Sequence, residues 1–292
     1  MRTAQKVGLI VAYLLVIIFI LTPFLYVLWA SVQSDKEILT KPFSLIPRRF
    51  TLGNFLYLFT GQLPDYYQEI VAVRGYLSGD IRLVLPALAN SFIVAAAVAV
   101  VNVILASPAA YAFTRFQFRG KQTLYTSVLI SRLLPPMVIA IPYYIILKQM
   151  NLINTLQGIG LAHVTMTVPF VMWYLVMFFR SIPRDTEEAA MIDGCNAFQA
   201  LAYVLMPIAR PGLIAAAVFA FMFSYSDFLF PLFISQNWQT RTLPVAVAIF
   251  SQNPDTSYAL VASTIVVGLA VPVTFALIMQ RYITQALSTV YK

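Results

Sequence analysis

Two stretches of this chain rule out a soluble fold. Residues 7–34 carry no charged side chain, and neither do residues 83–114. Each is long enough to cross the hydrocarbon core of a bilayer, which takes about 20 apolar residues as a helix. Backbone groups in lipid must bond within their own segment, so a lone spanning segment has to be helical. Composition agrees: of 292 residues, 60% are hydrophobic and 10% are charged, whereas a soluble domain carries about 25% charged residues. The chain is read as an all-α integral membrane protein.

The apolar pattern predicts six spans, near 8–31, 85–113, 122–147, 157–179, 211–234 and 259–280, forming one transmembrane domain over 1–292. The first span is read as retained. Its apolar run is longer than the roughly 7–15 residues of a signal-peptide core, and no A-x-A site follows it. Orientation comes from Lys and Arg in short loops. Arg2 and Lys6 precede span one, and Arg115, Arg119 and Lys121 lie between spans two and three. Arg180, Arg184 and Arg210 lie between spans four and five, and Arg281 and Lys292 follow span six. The opposite loops are poorer: 149–156 has no Lys or Arg, and 235–258 has only Arg241. Both termini are therefore expected on the cytoplasmic side. The loop at 32–84 falls outside as a small cap, with Tyr66, Tyr67 and the apolar run Phe55–Phe59. In this setting the net charge of +8 reads as orientation rather than nucleic-acid binding.

Several chemistries are excluded. One cysteine, Cys195, cannot form an internal disulfide, and one histidine, His163, cannot build a histidine metal cluster. HExxH, CxxC, GxSxG and Walker A patterns do not occur. No catalytic or metal site is expected.

One polar island interrupts the greasy chain. Of its eleven acidic residues, Asp185, Glu187, Glu188 and Asp193 fall between Arg184 and Gly194. Asp185 has the position of a helix cap, with Glu188 three residues on as the partner of a capping box. Acidic residues suit a helix N-terminus. Gly194 stands where a left-handed cap prefers glycine. Asn196 and Gln199 repeat the cap spacing, and Pro207 and Pro211 end the second helix. The expected product is a helix–Gly–helix elbow over 181–210. Ala189, Met191, Ile192, Phe198, Leu201 and Val204 are too many apolar residues for a solvated loop, and Ala189, Ala190 and Gly194 permit close approach. The elbow either docks a partner protein or packs only on its own bundle.

Glu188-Ala189-Ala190, three residues, Gly194, nine residues, then Val204-Leu205-Met206-Pro207 resembles the EAA signature of permease subunits of binding-protein-dependent ABC importers. Val204 and Met206 depart conservatively from the usual I-x-L-P ending. Pro108–Phe113 with Arg115–Gly120, Leu134-Pro135-Pro136 with Ile141-Pro142-Tyr143, Asn151–Thr155, Phe179–Arg184 and Thr242–Val245 extend the likeness in order and spacing. They are similar to the shorter, six-span partner in the maltose-permease-like, carbohydrate-importing branch.

The resemblance implies a type I importer fold in the prokaryotic inner membrane, with a cytoplasmic coupling helix. It implies a second homologous permease as partner in a heterodimer, a cytoplasmic ATPase dimer holding ATP and Mg, and an extracytoplasmic binding protein. This chain would bind no cofactor and catalyse nothing. Asp185, Glu187, Glu188, Ala189, Ala190, Met191, Asp193, Gly194, Phe198 and Pro207 become the candidate ATPase-coupling residues. The implied cargo is a sugar, an oligosaccharide or a related polyol or sugar derivative.

Polar residues within spans are the candidates for the pathway, because intramembrane charges face a bundle interior or cavity. Asp227, in Phe223–Pro231, resembles the acidic position of the W-N-[DE]-F-x-x-P-L element, with Tyr225 and Ser226 replacing Trp and Asn. Arg132 has three roles open to it: pairing with an acid or with carbonyls freed by prolines, attracting a phosphorylated or sulfonated sugar, or snorkelling to an interface. Asn90, His163, Tyr143, Tyr144 and Tyr225 are further candidates, against helix packing or an aromatic belt. A secondary transporter would show internal repeats around midplane ion ligands, and an integral membrane enzyme would need a polar catalytic cluster. The sequence offers neither.

Overall fold

A computed structural model describes residues 2–39, 50–62, 84–252 and 257–290, with side chains from 5 onward and up to 280. Most of the outer loop, including Tyr66 and Tyr67, and the terminal Lys292 lie outside the described residues. Every regular element among the described residues is helical. Four helices are long and apolar enough to span a membrane, Gln5–Ser31, Val84–Arg115, Leu156–Arg180 and Tyr258–Gln280, and two bent helix pairs bring the total to six if each pair is one span. The chain divides into two compact units, 1–86 with 246–270, and 87–245 with 271–292.

In the first unit, α1 (Arg2–Ser31) turns large apolar side chains outward along its whole length, from Val7 to Leu28, as a lipid-facing helix requires. Its last carbonyls lack intrahelical donors. Asn54, on α3 (Gly53–Thr60) after α2 (Asp35–Leu39), donates its amide to Ser31 O at 2.7 Å and Gln33 O at 2.8 Å. Ser263 Oγ adds a bond to Ser31 O at 3.0 Å. Asp35 Oδ1 in turn accepts the Ala259 N–H at 3.0 Å, so an acid distant in sequence supplies the anion that the start of a helix favours.

The second unit carries α4 (Val84–Arg115) and then the expected third span, which is not one helix. α5 (Lys121–Ser131) and α6 (Pro136–Gln149) meet at 95°. Pro136 forbids α geometry to the residue before it, and Pro135 is extended at φ −60, ψ 128. Arg132 therefore sits at a break, not midway along a helix. α7 (Leu156–Arg180) begins at Thr155, whose hydroxyl accepts the Gly158 N–H at 3.0 Å.

After the elbow comes α11 (Arg210–Ser226), bent 83° from the preceding Ala197–Ile208 segment. The predicted fifth span, 211–234, is interrupted at Asp227 and Phe228 before α12 (Leu229–Ile234). α7 and α11 pack closely. A Cβ on Gly212 would stand 2.5 Å from the Phe178 ring, and Ala215, Ala216 and Ala220 are buried alongside. Small residues give membrane helices this approach. A second core joins Val94, Val98, Ala140, Leu147, Ile159, Phe230 and Ile234. α13 (Leu243–Gln252) and α14 (Tyr258–Val290) complete the chain.

Candidate functional site

The elbow begins where α7 ends. Ser181 and Ile182 bond back to the carbonyls of Phe178 and Phe179, Pro183 follows, and α8 spans Asp185–Ile192. Arg184, in helical geometry and without a side-chain cap bond, holds the cap position. The expected Asp185–Glu188 capping box is therefore not formed. The turn at Pro183 already aims Arg184 into the helix, which leaves Asp185 as its first residue. The acids still stand in the first turn, where the helix dipole favours them.

α8 closes with a Schellman motif. Gly194 adopts φ 95, its N–H bonds Met191 O at 3.1 Å, and the Cys195 N–H bonds Ala190 O at 3.0 Å. Asn196 and Gln199 then form a reciprocal capping box, each bond 2.9 Å, at the start of α9 (Ala197–Gln199). A π-helical turn at Ala200–Leu205 leads to α10 (Met206–Ile208).

One acid on α8 turns inward. Glu187 is 3% exposed; its Oε1 accepts a bond from Arg115 Nε at 2.7 Å, and Arg115 Nη2 also donates to Ile182 O at 3.0 Å. Arg184 Nη2 reaches Thr114 O at 3.3 Å. The elbow is thus latched to the end of α4. Glu187 and Ala190, both expected to contact a partner, are buried against the protein itself. Asp185, Glu188, Ala189, Met191, Asp193, Gly194, Phe198 and Pro207 are exposed. Ile192 at 86%, Tyr203 at 74% and Phe198 at 73% exposure add apolar surface to this polar elbow. Tyr203 carried no motif that would single it out.

Within the helices, the polar candidates separate into three groups. Arg132 and Ser226 line a cavity of about 300 Å³ together with Thr167, Phe170, Phe219 and Phe223. The Arg132 guanidinium lies over the Phe170 ring at 4.6 Å and near Phe223 at 5.8 Å. It has no acid within ion-pair reach among the described residues. Of the three roles left open for Arg132, pairing with an acid is not seen among the described residues, and the phenylalanines of the cavity carried no signal in the sequence.

His163 and Asp227 form the second group. His163 is fully buried; Nδ1 lies 2.7 Å from Ser224 Oγ, and Nε2 lies 3.1 Å from Asp227 Oδ2. The same carboxylate oxygen accepts the Phe230 N–H at 3.1 Å, capping α12. Thr167 extends the chain of bonds, donating to His163 O at 2.7 Å and accepting from Asn102 Nδ2 at 2.8 Å.

The third group is engaged in packing and loop support. Asn90 holds the carbonyls of Gln239 and Arg241 at 2.8 and 3.0 Å. Tyr143 meets Phe230 edge-on, and Tyr225 stacks on Phe221. None of these three borders the cavity. Among the described residues no group of acids, His and Cys could hold a metal ion.

Residues 102–289, most of the chain, with the elbow and the Arg132 and His163 groups, match the model of the binding-protein-dependent transport system inner membrane component family. The chain belongs to that family. It is an ABC importer permease of the inner membrane, a transport subunit and not an enzyme, and it works with an ATPase and a binding protein.

This permease is 32% identical to the trehalose transport system permease protein SugB of Mycobacterium tuberculosis, over 94% of this chain and 93% of that one. It is 27% identical to the sulfoquinovosyl glycerol transport system permease protein SmoH of Agrobacterium fabrum, over 92% and 87%. Its fold matches a chain from the crystal structure of a bacterial ABC transporter involved in import of the acidic polysaccharide alginate. The TM-score is 0.76 at 19% identity, covering 97% of this chain and 98% of the other. That likeness establishes the type I importer fold.

Proposed function

We propose that this permease forms half of the pathway of an ATP-driven importer for a sugar, an oligosaccharide or a related polyol or sugar derivative. It pairs with a second, homologous permease as a heterodimer. Its elbow docks in a cytoplasmic ATPase dimer that holds ATP and Mg, and ATPase closure switches the pathway between inward-open and outward-open states. The binding protein delivers cargo at the outer face, opposite the Lys- and Arg-rich loops. The observation that carries the coupling reading is the division of α8. One acid, Glu187, latches the helix to α4, while Glu188, Ala189, Met191, Ile192 and Phe198 remain exposed. The names of the relatives, trehalose and sulfoquinovosyl glycerol permeases, support a glycoside cargo.

Gly194→Trp places a bulky residue at φ 95, and Glu188→Lys reverses a charge on the exposed face. Both variants insert in the membrane, and both lose ATPase co-purification and uptake. Undiminished co-purification and uptake in the two variants would remove the docking reading. Ligand profiling of the purified cognate binding protein then names the cargo. A second reading, in which the cargo is an anionic sugar derivative, is favoured by Arg132 in its cavity.

A further inference from the structure

The polar groups of this unit differ in how completely they are used. Arg115 is matched to Glu187, and the Asp227 carboxylate is matched to His163 and the Phe230 N–H. Arg132 alone among these groups faces open space without an acid. A charge within a membrane protein belongs in a cavity and with a partner, and here the described residues supply the cavity only. The walls restrict what the missing partner is. Phe170 lies beneath the guanidinium at 4.6 Å. Stacking on an aromatic face leaves the N–H edge free for the two parallel bonds that suit a carboxylate or a sulfonate. Phe219 and Phe223 add aromatic walls. Ser226 Oγ donates to Met222 O at 2.8 Å, so its lone pairs remain for a ligand hydroxyl. Among the described residues no acid lines the cavity, which leaves it with a net positive charge. Its volume, about 300 Å³, stands at the small end of ligand clefts, about 300–1,000 Å³, and suits one sugar ring.

We propose that this cavity is an anion subsite of the pathway, in which Arg132 binds the carboxylate or sulfonate of an acidic sugar, Phe170 and its neighbours face the ring, and Ser226 accepts a ring hydroxyl. The proposal rests on the importer reading and narrows its cargo to acidic glycosides. Arg132 is the specificity-determining residue, and Asp227 is not a cargo contact.

The test uses the whole transporter, with its partner permease, ATPase and binding protein, in proteoliposomes. The probes are methyl glucuronide, a methyl glucoside bearing a 6-sulfonate, uncharged methyl glucoside and trehalose. Thermal shifts of the solubilised complex with the same probes report binding directly. The wild type prefers the two acidic probes at least tenfold over methyl glucoside. Arg132→Gln cuts that ratio at least tenfold, mainly through KM, and Arg132→Lys restores part of it. A wild type that prefers the uncharged probes overturns the subsite while leaving the importer reading intact. Equal loss of all probes in Arg132→Gln, or failure of that variant to assemble with the partner permease, also overturns it by making Arg132 structural. Absence of uptake and binding for every probe overturns both readings.

Discussion

Arg115 and Arg132 stand at opposite extremes in the same compact unit. Arg115 ends α4, its side chain is 9% exposed, and it bonds both Glu187 and the Ile182 carbonyl. Arg132 stands in a broken span, exposed, with aromatic rings for company and no acid in reach among the described residues. One guanidinium completes the protein and the other is incomplete without something else. The difference separates roles that residue type and membrane context leave merged. A charge whose hydrogen bonds are closed by its own chain holds the fold. A charge left open at a cavity is the one on which the proposed subsite rests.

The largest expected effect tests the closed side of this contrast. Glu187→Ala leaves Arg115 buried and unpaired, which costs about 3–5 kcal/mol. The solubilised protein melts at lower temperature and loses its ATPase, and an unchanged melting curve would place Arg115 in the same class as Arg132. Gly212→Leu comes next, because α7, packed on α11, walls the Arg132 cavity and leads to Ile182 at the Arg115 site. A side chain driven into Phe178 costs about 1–3 kcal/mol of packing, read in the same thermal assay; full stability would dissolve that shared frame.

His163 tests the middle case. His163→Ala strands Ser224 and Asp227 at about 1–3 kcal/mol. A double-mutant cycle with Asp227→Asn returns a coupling of at least about 0.5 kcal/mol, and zero coupling would mean that the two do not clamp the break in span five. Arg132→Gln is the smallest effect on stability, within about 0.5 kcal/mol. A loss as large as that of Glu187→Ala would make Arg132 a structural residue and erase the contrast.

What could be read in the sequence was local. Gly194 and the Asn196–Gln199 spacing announce their geometry within a few residues, and the backbone there adopts it. The cap assigned to Asp185 failed by one position because the bend at Pro183 fixes where a helix begins before any side chain caps it. The break in span three was written in Pro135-Pro136, but hydropathy averages over a proline pair and returns one continuous span. The pairing of Glu187 with Arg115 joins residues 72 apart; the spacing of acids within the island does not say which of them turns inward. The cavity was invisible for the same reason. Nothing in the sequence pairs Phe170 and Phe223 until α7 and α11 bring them beside Arg132.

The latch at Arg115 also has a mechanical meaning. A push on the outer face of α8 need not travel along the chain through Pro183 into α7. It passes sideways, through one ion pair and two carbonyl bonds, into the end of a helix of 32 residues. α8 is thus bolted to two long levers at once. Under the docking proposed above, a load applied there turns them together as a stiff handle, where a lone loop would yield.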